Sequence, residues 1–308
     1  MKTGAVIVSA GMSSRMTDFK PLMKIGSISM VERIITNFQQ ANIFPIVLVT
    51  GYRGSELEKA LSKTGILFVR NKEYQTTEMF DSAKLGFSFI KDKCDRTFFT
   101  PVDIPLFTLN TISNLLKSSA PIAKPVCEEK EGHPILISNR LLDGLIKDNG
   151  HGGLKKAIDR CGFDIEKVEV NDDGILYDAD TQHDFDNLVK KHNEQLFRPS
   201  IEISLMCENK LFDKNGERLL KLIEFTGTVK EACEKMQISY SKAWGILSDL
   251  EKNLGFALVE RKSGGDTGGK SRLTQEGKKL LAEYENFTEK VQTFASGCFN
   301  ECFKRKIT

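Results

Sequence analysis

Two groups of residues in this 308-residue chain are of the right types, at the right spacing, to handle phosphate. The first lies near the N-terminus. Ala5–Val8 reads as a buried strand that empties into Ser9, Ala10 and Gly11, then Ser13, Ser14 and Arg15, with Lys20 five residues on. Small residues after a strand let backbone approach a ligand closely, and the N–H groups of such a loop can turn toward anionic oxygens. Arg15 offers a forked donor set and Lys20 a mobile point charge, both suited to phosphate. The stretch is not a P-loop, because no Gly-Lys-Ser/Thr follows, and the G-x-G-x-x-G dinucleotide fingerprint is absent. Taken alone, an ordinary strand-to-loop turn with surface charges would look similar.

The second group is acidic. "TPVDIPL" (Thr100–Leu106) sets Asp103 between two prolines just after a strand. A lone Asp there is most often a cap or turn residue. Rigid flanks also suit a fixed ligand for a hard ion such as Mg²⁺, which takes one or two carboxylates and fills its shell with water and phosphate oxygens. "YDADTQHD" (Tyr177–Asp184) brings further carboxylates, Asp178 and Asp180 among them, and "EGHPILIS" places Gly132 and His133 before another strand. An isolated His is as often structural as functional.

The elements that would carry these residues alternate. Met30–Gln40 has helical spacing, Pro45–Thr50 is a strand, Ser55–Leu61 a helix, Ile66–Val69 a strand. Phe80–Ile90 is helical, with Ala83, Leu85, Phe87 and Ile90 as its apolar surface; Arg96–Thr100 is a strand and Thr108–Leu116 a helix. Such alternation predicts βαβ units, an α/β domain with a mostly parallel sheet and helices on both faces. Ligands on such sheets gather at the C-terminal ends of the strands.

Length suits two domains. After Leu188 the pattern changes: "KKHNEQLFRPS" is polar and reads as a linker. The expected division is residues 1–195, a linker at 196–200, and a second domain at 201–308. Hydrophobic residues are 40% and charged residues 28%, an ordinary globular balance, and no apolar run approaches the roughly 20 residues of a membrane span. No basic-then-apolar leader precedes the first strand, so a cytoplasmic location is expected. Seven scattered cysteines fit reduced thiols better than a disulfide framework. Cys298 and Cys302, four apart, read as part of a helical tail. Net charge is +2, so any nucleic-acid surface must be local.

"SAGMSSRM" with Lys20, then "PVDIP", "GHP" and "DADT", over about residues 3–190, resemble the molybdenum-cofactor nucleotidylyltransferases, the MobA/MocA-like members of the NTP-transferase fold. The opening motif and "GHP" with "DADT" are closer to the cytidylyltransferase branch. The resemblance implies a Rossmann-like three-layer domain that joins a nucleoside triphosphate, CTP favoured over GTP, to molybdopterin or another phosphorylated acceptor and releases pyrophosphate. It implies that Ser9, Ala10, Gly11, Ser13 and Ser14 form the nucleotide loop, that Thr50 and Gly51 border the base, and that Arg15 and Lys20 neutralise the triphosphate. Asp103 would hold Mg²⁺ with Asp178 or Asp180, and His133 and the loop with Gly152 and Gly153 would face the acceptor. Thr17 and Gln182 stand where the family usually has glycine and proline.

The later stretch, Gly227–Leu281, reads as a helix (Val229, Ala232, Cys233, Met236), a turn at Gln237–Ser239, and a second helix with Ala243, Trp244, Leu247, Leu250 and Leu254 inward. That is the helix-turn-helix pattern, whose second helix enters the major groove by its first residues. Ser239, Tyr240, Ser241 and Lys242 take that place. Ala257–Arg261 and Ser271–Thr274 read as a wing around a glycine loop. Between Arg261 and Lys279 six Lys/Arg face two acids, a basic excess that suits phosphate contacts by Arg261, Lys262, Lys270 and Arg272. A solvated charged face would show the same excess.

Lys210–Leu281, with "SYSKAW" and "LVERKSGGDTGGKSRLT", resembles the winged helix-turn-helix domain of the molybdate-responsive regulator ModE. The resemblance implies DNA binding and a homodimer, with Leu211, Leu219 and the helix Leu280–Phe294 as candidate contacts. The regulator's molybdate-binding domain is expected to be missing, so any sensing must come from elsewhere, the linked enzyme domain being one possibility. Three functions stay open: an active nucleotidylyltransferase carrying a DNA-binding or dimerising winged helix, a regulator whose enzyme-like domain only senses nucleotide or pterin, and a transferase for another acceptor.

Overall fold

The computed structural model describes residues 2–11, 18–195, 199–207, 210–262 and 270–303, with the backbone alone at 261, 262, 296 and 300. Two compact units divide between residues 195 and 199, the short turn at 62–65 aside. Among the described residues no helix is long and apolar enough to cross a membrane.

In the first unit the elements follow in order: β1 (Thr3–Ser9), the small hairpin β2 (Lys24–Ile25) and β3 (Ile28–Ser29), α1 (Met30–Gln40), β4 (Ile46–Thr50), α2 (Gly54–Ala60) and β5 (Leu67–Arg70). Then come α3 (Met79–Ile90), β6 (Arg96–Pro101), α4 (Leu109–Lys117), β7 (Ile122–Cys127), β8 (Lys130–Glu131) and β9 (Ile135–Ser138). The unit closes with α5 (Leu142–Lys147), α6 (Gly153–Cys161), β10 (Ile165–Glu169) and α7 (Gln182–Glu194). The main sheet runs β10-β7-β9-β6-β1-β4-β5, with β8 paired to β7. All pairings from β6 to β5 are parallel; β9 alone runs antiparallel to both its long neighbours.

Alternation along β1 sorts the two layers of helix. Ala5 and Ile7 join Val31, Ile34 and Phe38 of α1, Leu57 of α2 and Ile112 and Leu115 of α4 in one fully buried cluster. Phe38 sits at the middle of it, 5.6 Å from Phe98 and 5.3 Å from Phe107 by ring centroid. Val6 faces the other way, onto α3. That contact requires Gly86, where a Cβ would lie 2.5 Å from Val6 Cγ1 and 3.0 Å from Val49 Cγ2. Leu85, expected on the apolar surface of α3, is 39% exposed instead. It lies two residues from both Ala83 and Phe87, about 200° around the helix.

The chain moves from β1 to β4 to β5 on one side, then returns to lay β6 on the other side of β1. The point of reversal lies between β1 and β6, where crevices open at the strands' C-terminal ends. The stretch after Leu188 reads as a linker, yet α7 continues through Glu194. Leu188 and His192 are both buried, one turn apart on the face that packs inward, so the polar stretch still has a buried side. Its Thr181 cap and Asp184 form a capping box.

The second unit starts with a hairpin, β11 (Leu205–Met206) and β12 (Lys210–Phe212), followed by α8 (Lys214–Thr226), α9 (Val229–Met236) and α10 (Tyr240–Leu254). The wing is β13 (Val259–Lys262) and β14 (Lys270–Leu273), antiparallel, and α11 (Gln275–Cys302) ends the unit. Gln237 takes the left-handed conformation, φ +51°, that ends α9, and Ser239 caps α10 by accepting from Lys242 N. Trp244 and Leu254 are half-buried rather than inward; Ala243, Leu247 and Leu250 form the packed face.

Because α3 meets β1 through Gly86, Gly86→Ala is expected to cost about 1–3 kcal/mol through overpacking. Urea unfolding checks this as a lowered midpoint; an unchanged midpoint would mean that α3 can lift from the sheet freely.

Candidate functional site

A cleft of about 220 Å³ opens at the point where strand order reverses. Ser9, Ala10 and Gly11 form its floor beyond β1, Lys20 and Pro21 enter from the next segment, and Pro101, Val102 and Asp103 close the side beyond β6. Tyr74, Thr77, Glu78, Met79 and Ser82 form the remaining wall. Ser9 Oγ is buried with no hydrogen-bond partner among the described residues. Ser13, Ser14 and Arg15 lie outside the described residues.

Lys20 is the electrostatic centre. Its Nζ lies 3.1 Å from Asp180 Oδ1 and 3.9 Å from Asp103 Oδ2, and the side chain is 9% exposed. Burial pushes the Asp103 carboxyl above the usual carboxylate range; Lys20 pulls it down, while Asp180 and Asp178 push it up. Asp178 is raised likewise, by burial first and then by Asp180 and Asp184. One ammonium thus serves a group of carboxylates that repel one another. Among the described residues no three His, Cys, Asp or Glu side chains are grouped to hold a metal by themselves. An oxygen-only set with unneutralised charge still fits Mg²⁺, which takes one or two carboxylates and completes its shell from phosphate and water.

The loop carrying Asp103 is held by side chains from three distant segments. Gln195 Nε2 donates to the carbonyl of Leu106 (3.1 Å), and Asn37 Nδ2 of α1 donates to that of Phe107 (2.6 Å). Asp172 accepts from Thr108 N (2.7 Å), Thr108 Oγ1 and Thr111 Oγ1. Asn71 does similar service across the cleft: its Nδ2 donates to Thr77 Oγ1 and Ser82 Oγ, each at 2.9 Å. None of these four is part of a recognisable sequence motif. An Asn or Asp in a loop is too common to stand out until its partners are seen.

Several expected residues have other duties. Thr50 is fully buried and gives its hydroxyl to Glu58 Oε1 (2.7 Å), so it does not border the cleft. Gly51 is pressed beneath the loop after β1; a Cβ there would lie 2.6 Å from the Ala10 carbonyl oxygen and 2.7 Å from Tyr74 Cβ. In "GHP", a Cβ at Gly132 would collide with the Ile175 carbonyl oxygen. His133 sets its ring against Phe99, 5.8 Å between centroids, with Nδ1 3.5 Å from the Phe99 carbonyl. Burial pushes His133 down to about 4; the Phe99 carbonyl opposes this and Lys124 adds to it. Gly152 and Gly153, both at positive φ, begin α6 and do not line the cleft.

In the second unit Ser239, Tyr240, Ser241 and Lys242 are all exposed at the start of α10, as are Lys270 and Arg272 on β14. Tyr240 is 55% exposed and stands edge-on to Trp244, centroids 5.9 Å apart. Ser271 N donates to Gly227 O (2.7 Å), fastening the wing to the end of α8. The side chains of Arg261 and Lys262 lie outside the described residues. Leu219, a candidate contact for a second copy, is fully buried and so unavailable. Phe287 and Phe294 are 48% and 73% exposed on α11.

The fold and cleft define a nucleotidyltransferase joined to a helix-turn-helix unit. Residues 5–166, more than half of the chain, match the MobA-like NTP transferase domain, and the chain belongs to that family. Residues 217–278 match the bacterial regulatory helix-turn-helix protein, lysR family. The chain is 28% identical over 192 residues to the molybdenum cofactor cytidylyltransferase of Escherichia coli, which covers 61% of this chain and 96% of that enzyme. It is 34% identical over 86 residues to the DNA-binding transcriptional dual regulator ModE of the same species, 28% of this chain and 33% of the regulator, so it spans about a third of that relative. A nucleotidyl transferase from Methanothermobacter thermautotroptrophicus has the same fold over 63% of this chain and 99% of its own, with a TM-score of 0.56 at 19% identity.

A histidine held below its unfolded pKa near 6.5 makes stability rise with pH between about 4 and 6.5, where only the unfolded chain takes up the proton. His133→Gln is therefore expected to flatten that part of the stability–pH curve. Denaturant midpoints across pH 4–7 test it, and a slope equal to wild type would remove His133 from the account.

Proposed function

We propose that the first unit transfers a nucleotidyl group from CTP to molybdopterin, and that the second unit binds DNA. The observation that carries the first part is the convergence of Lys20 and Asp103 on the cleft that runs past Gly11. A 96% span of a cytidylyltransferase relative supports CTP and the acceptor. Asp103, with Asp178 or Asp180, would hold Mg²⁺, which supplies charge neutralisation for triphosphate oxygens when bound.

The chemistry asks for no protein nucleophile. An acceptor phosphate oxygen forms a bond to the α-phosphorus, the bond to the bridging β-oxygen breaks, and pyrophosphate leaves with its electron pair. The chain's work is to align these groups and to meet charge as it develops. The Ala10–Gly11 backbone admits the phosphates closely, and Lys20 presents its ammonium to them. Burial and like charge raise Asp103, and both penalties ease once a cation or the triphosphate's counter-ion shares the site. His133 and the loop at Gly152 and Gly153 serve the acceptor side through packing and backbone shape.

For the second unit, the exposed start of α10 and the basic wing support DNA contact by Ser239, Tyr240, Ser241, Lys242, Lys270 and Arg272, with Arg261 and Lys262 on the paired strand. A homodimer fits α11, where Phe287, Val291, Phe294 and Cys298 recur at steps of four, three and four. A cytoplasmic setting suits nucleotide chemistry coupled to DNA.

Lys20→Ala is expected to lower kcat by a few hundredfold, about 3–4 kcal/mol of transition-state stabilisation, with folding retained. Asp103→Asn is expected to keep or raise the melting temperature without metal, yet to lose the Mg²⁺-dependent stabilisation by CTP. Turnover assays and thermal melts decide both; wild-type turnover in either variant overturns the roles. In the second unit, Lys242→Ala and Arg272→Ala are each expected to weaken duplex DNA binding and to reduce its log–log salt slope by about 1. Unchanged slopes would place the DNA elsewhere or exclude it.

A further inference from the structure

The cleft has one end suited to phosphate and another that is not. Lys20 is the one cation among its described lining residues, and it stands beside Asp103, beyond β6. The far wall, led by Tyr74, carries no positive charge among its described residues: Thr77, Glu78, Met79 and Ser82 complete it. The strand order β6-β1-β4-β5 measures the separation. Asp103 follows β6, Gly11 follows β1, Gly51 follows β4 and Tyr74 follows β5. Three strand spacings of about 4.8 Å give roughly 14 Å along the sheet edge. That leaves room for a ribose and a base beyond the phosphates.

Tyr74 is built as a fixed surface. It is half-buried, lines the cleft, and sets its ring 6.3 Å from that of Tyr52 between centroids. Tyr52 in turn meets Phe19 edge-on at 6.1 Å, and the Arg53 guanidinium covers Phe19 at 4.7 Å. The main chain around Tyr74 is tied by buried Asn71, whose Oδ1 accepts from Glu73 N (2.9 Å) and whose Nδ2 holds Thr77 and Ser82. Gly51 lets Tyr74 Cβ sit directly against the loop after β4. An aromatic ring that lines a cleft and is packed against a second ring is a stacking platform, and its surface loses little freedom when a flat ligand settles on it.

We propose that Tyr74 is the wall on which the nucleobase of the bound nucleotide lies, a positioning and affinity residue rather than a chemical one. This rests on the reading of the cleft as a nucleotide site. The full-length protein would be titrated with Mg²⁺–CTP and, separately, with Mg²⁺–pyrophosphate, which makes the phosphate contacts and has no base. Tyr74→Ala is expected to weaken CTP about tenfold or more, within the range of one base–aromatic stack, and to leave pyrophosphate unchanged. Tyr74→Phe keeps the ring and is expected to bind both as wild type does. In turnover, Tyr74→Ala is expected to raise KM for the nucleotide and spare kcat. Equal losses for CTP and pyrophosphate, or no loss for CTP, would overturn the proposal; a thermal melt alongside shows whether the loop stayed folded. If wild-type protein binds neither ligand, the nucleotide-site reading fails first, and that result is distinct from the other two.

Discussion

The buried ammonium of Lys20 stands between Asp180 and Asp103, and the arrangement of the cleft follows from it. The three residues come from segments up to 160 positions apart. Their charges cannot be brought together in a partly dry cleft unless they compensate one another, because an unpaired buried charge costs several kcal/mol. The compensation is incomplete. Asp103 and Asp178 both remain above the usual carboxylate range, held there first by burial and then by neighbouring carboxylates, Asp180 in both cases. The cleft is left with a demand for positive charge, which is the state expected of a site that takes up a metal-bound polyphosphate.

Holding such a group in place falls to backbone contacts around it. The segment after Asp103 is tied at Leu106, Phe107 and Thr108 by Gln195, Asn37 and Asp172, each from a different part of the chain. Glycines allow these segments to stack without side chains between them: Gly51 under Ala10, Gly132 against Ile175, Gly174 against the Leu106 carbonyl. The motif residues around the cleft therefore divide by task. Lys20 and Asp103 carry charge, whereas Gly51, Gly132 and His133 shape the seat on which the charged segments rest.

The second unit solves a different problem with similar means. Its helix-turn-helix geometry depends on short local hydrogen bonds, such as the left-handed turn at Gln237 and the Ser239 cap, and on the tie from Ser271 to Gly227. Packing uses Ala243, Leu247 and Leu250 on one side of α10, which frees the opposite side and the start of the helix. Exposed polar residues there, and basic ones on the wing, are what a phosphate backbone selects for. The exposed phenylalanines of α11 obey another rule: they repeat at the spacing of a helix pair rather than of a buried core.

By itself the sequence determined the order of the sheet strands and helices from β1 to α4, because buried parallel strands are short apolar runs and amphipathic helices recur at three and four. It also marked Lys20, Asp103, Asp178 and Asp180, whose charges stand out beside small or rigid neighbours, and the two helices and wing of the second unit. The placement of Leu85, Trp244 and Leu254 was less legible, since a residue near the edge of an apolar stripe is inward or outward according to what packs against it. His192 shows the same dependence: a polar residue in a polar run is buried only because α7 lies on the β2–β3 hairpin. The roles of Thr50, Gly51 and His133, and the importance of Tyr74, Asn71 and Asp172, belong to the tertiary structure alone. Each is defined by a partner distant in sequence or by a neighbouring loop whose path no local pattern encodes. A hydroxyl, a small residue or a ring acquires its function from the atom it meets, and that meeting is decided when the loops at the sheet edge close on one another.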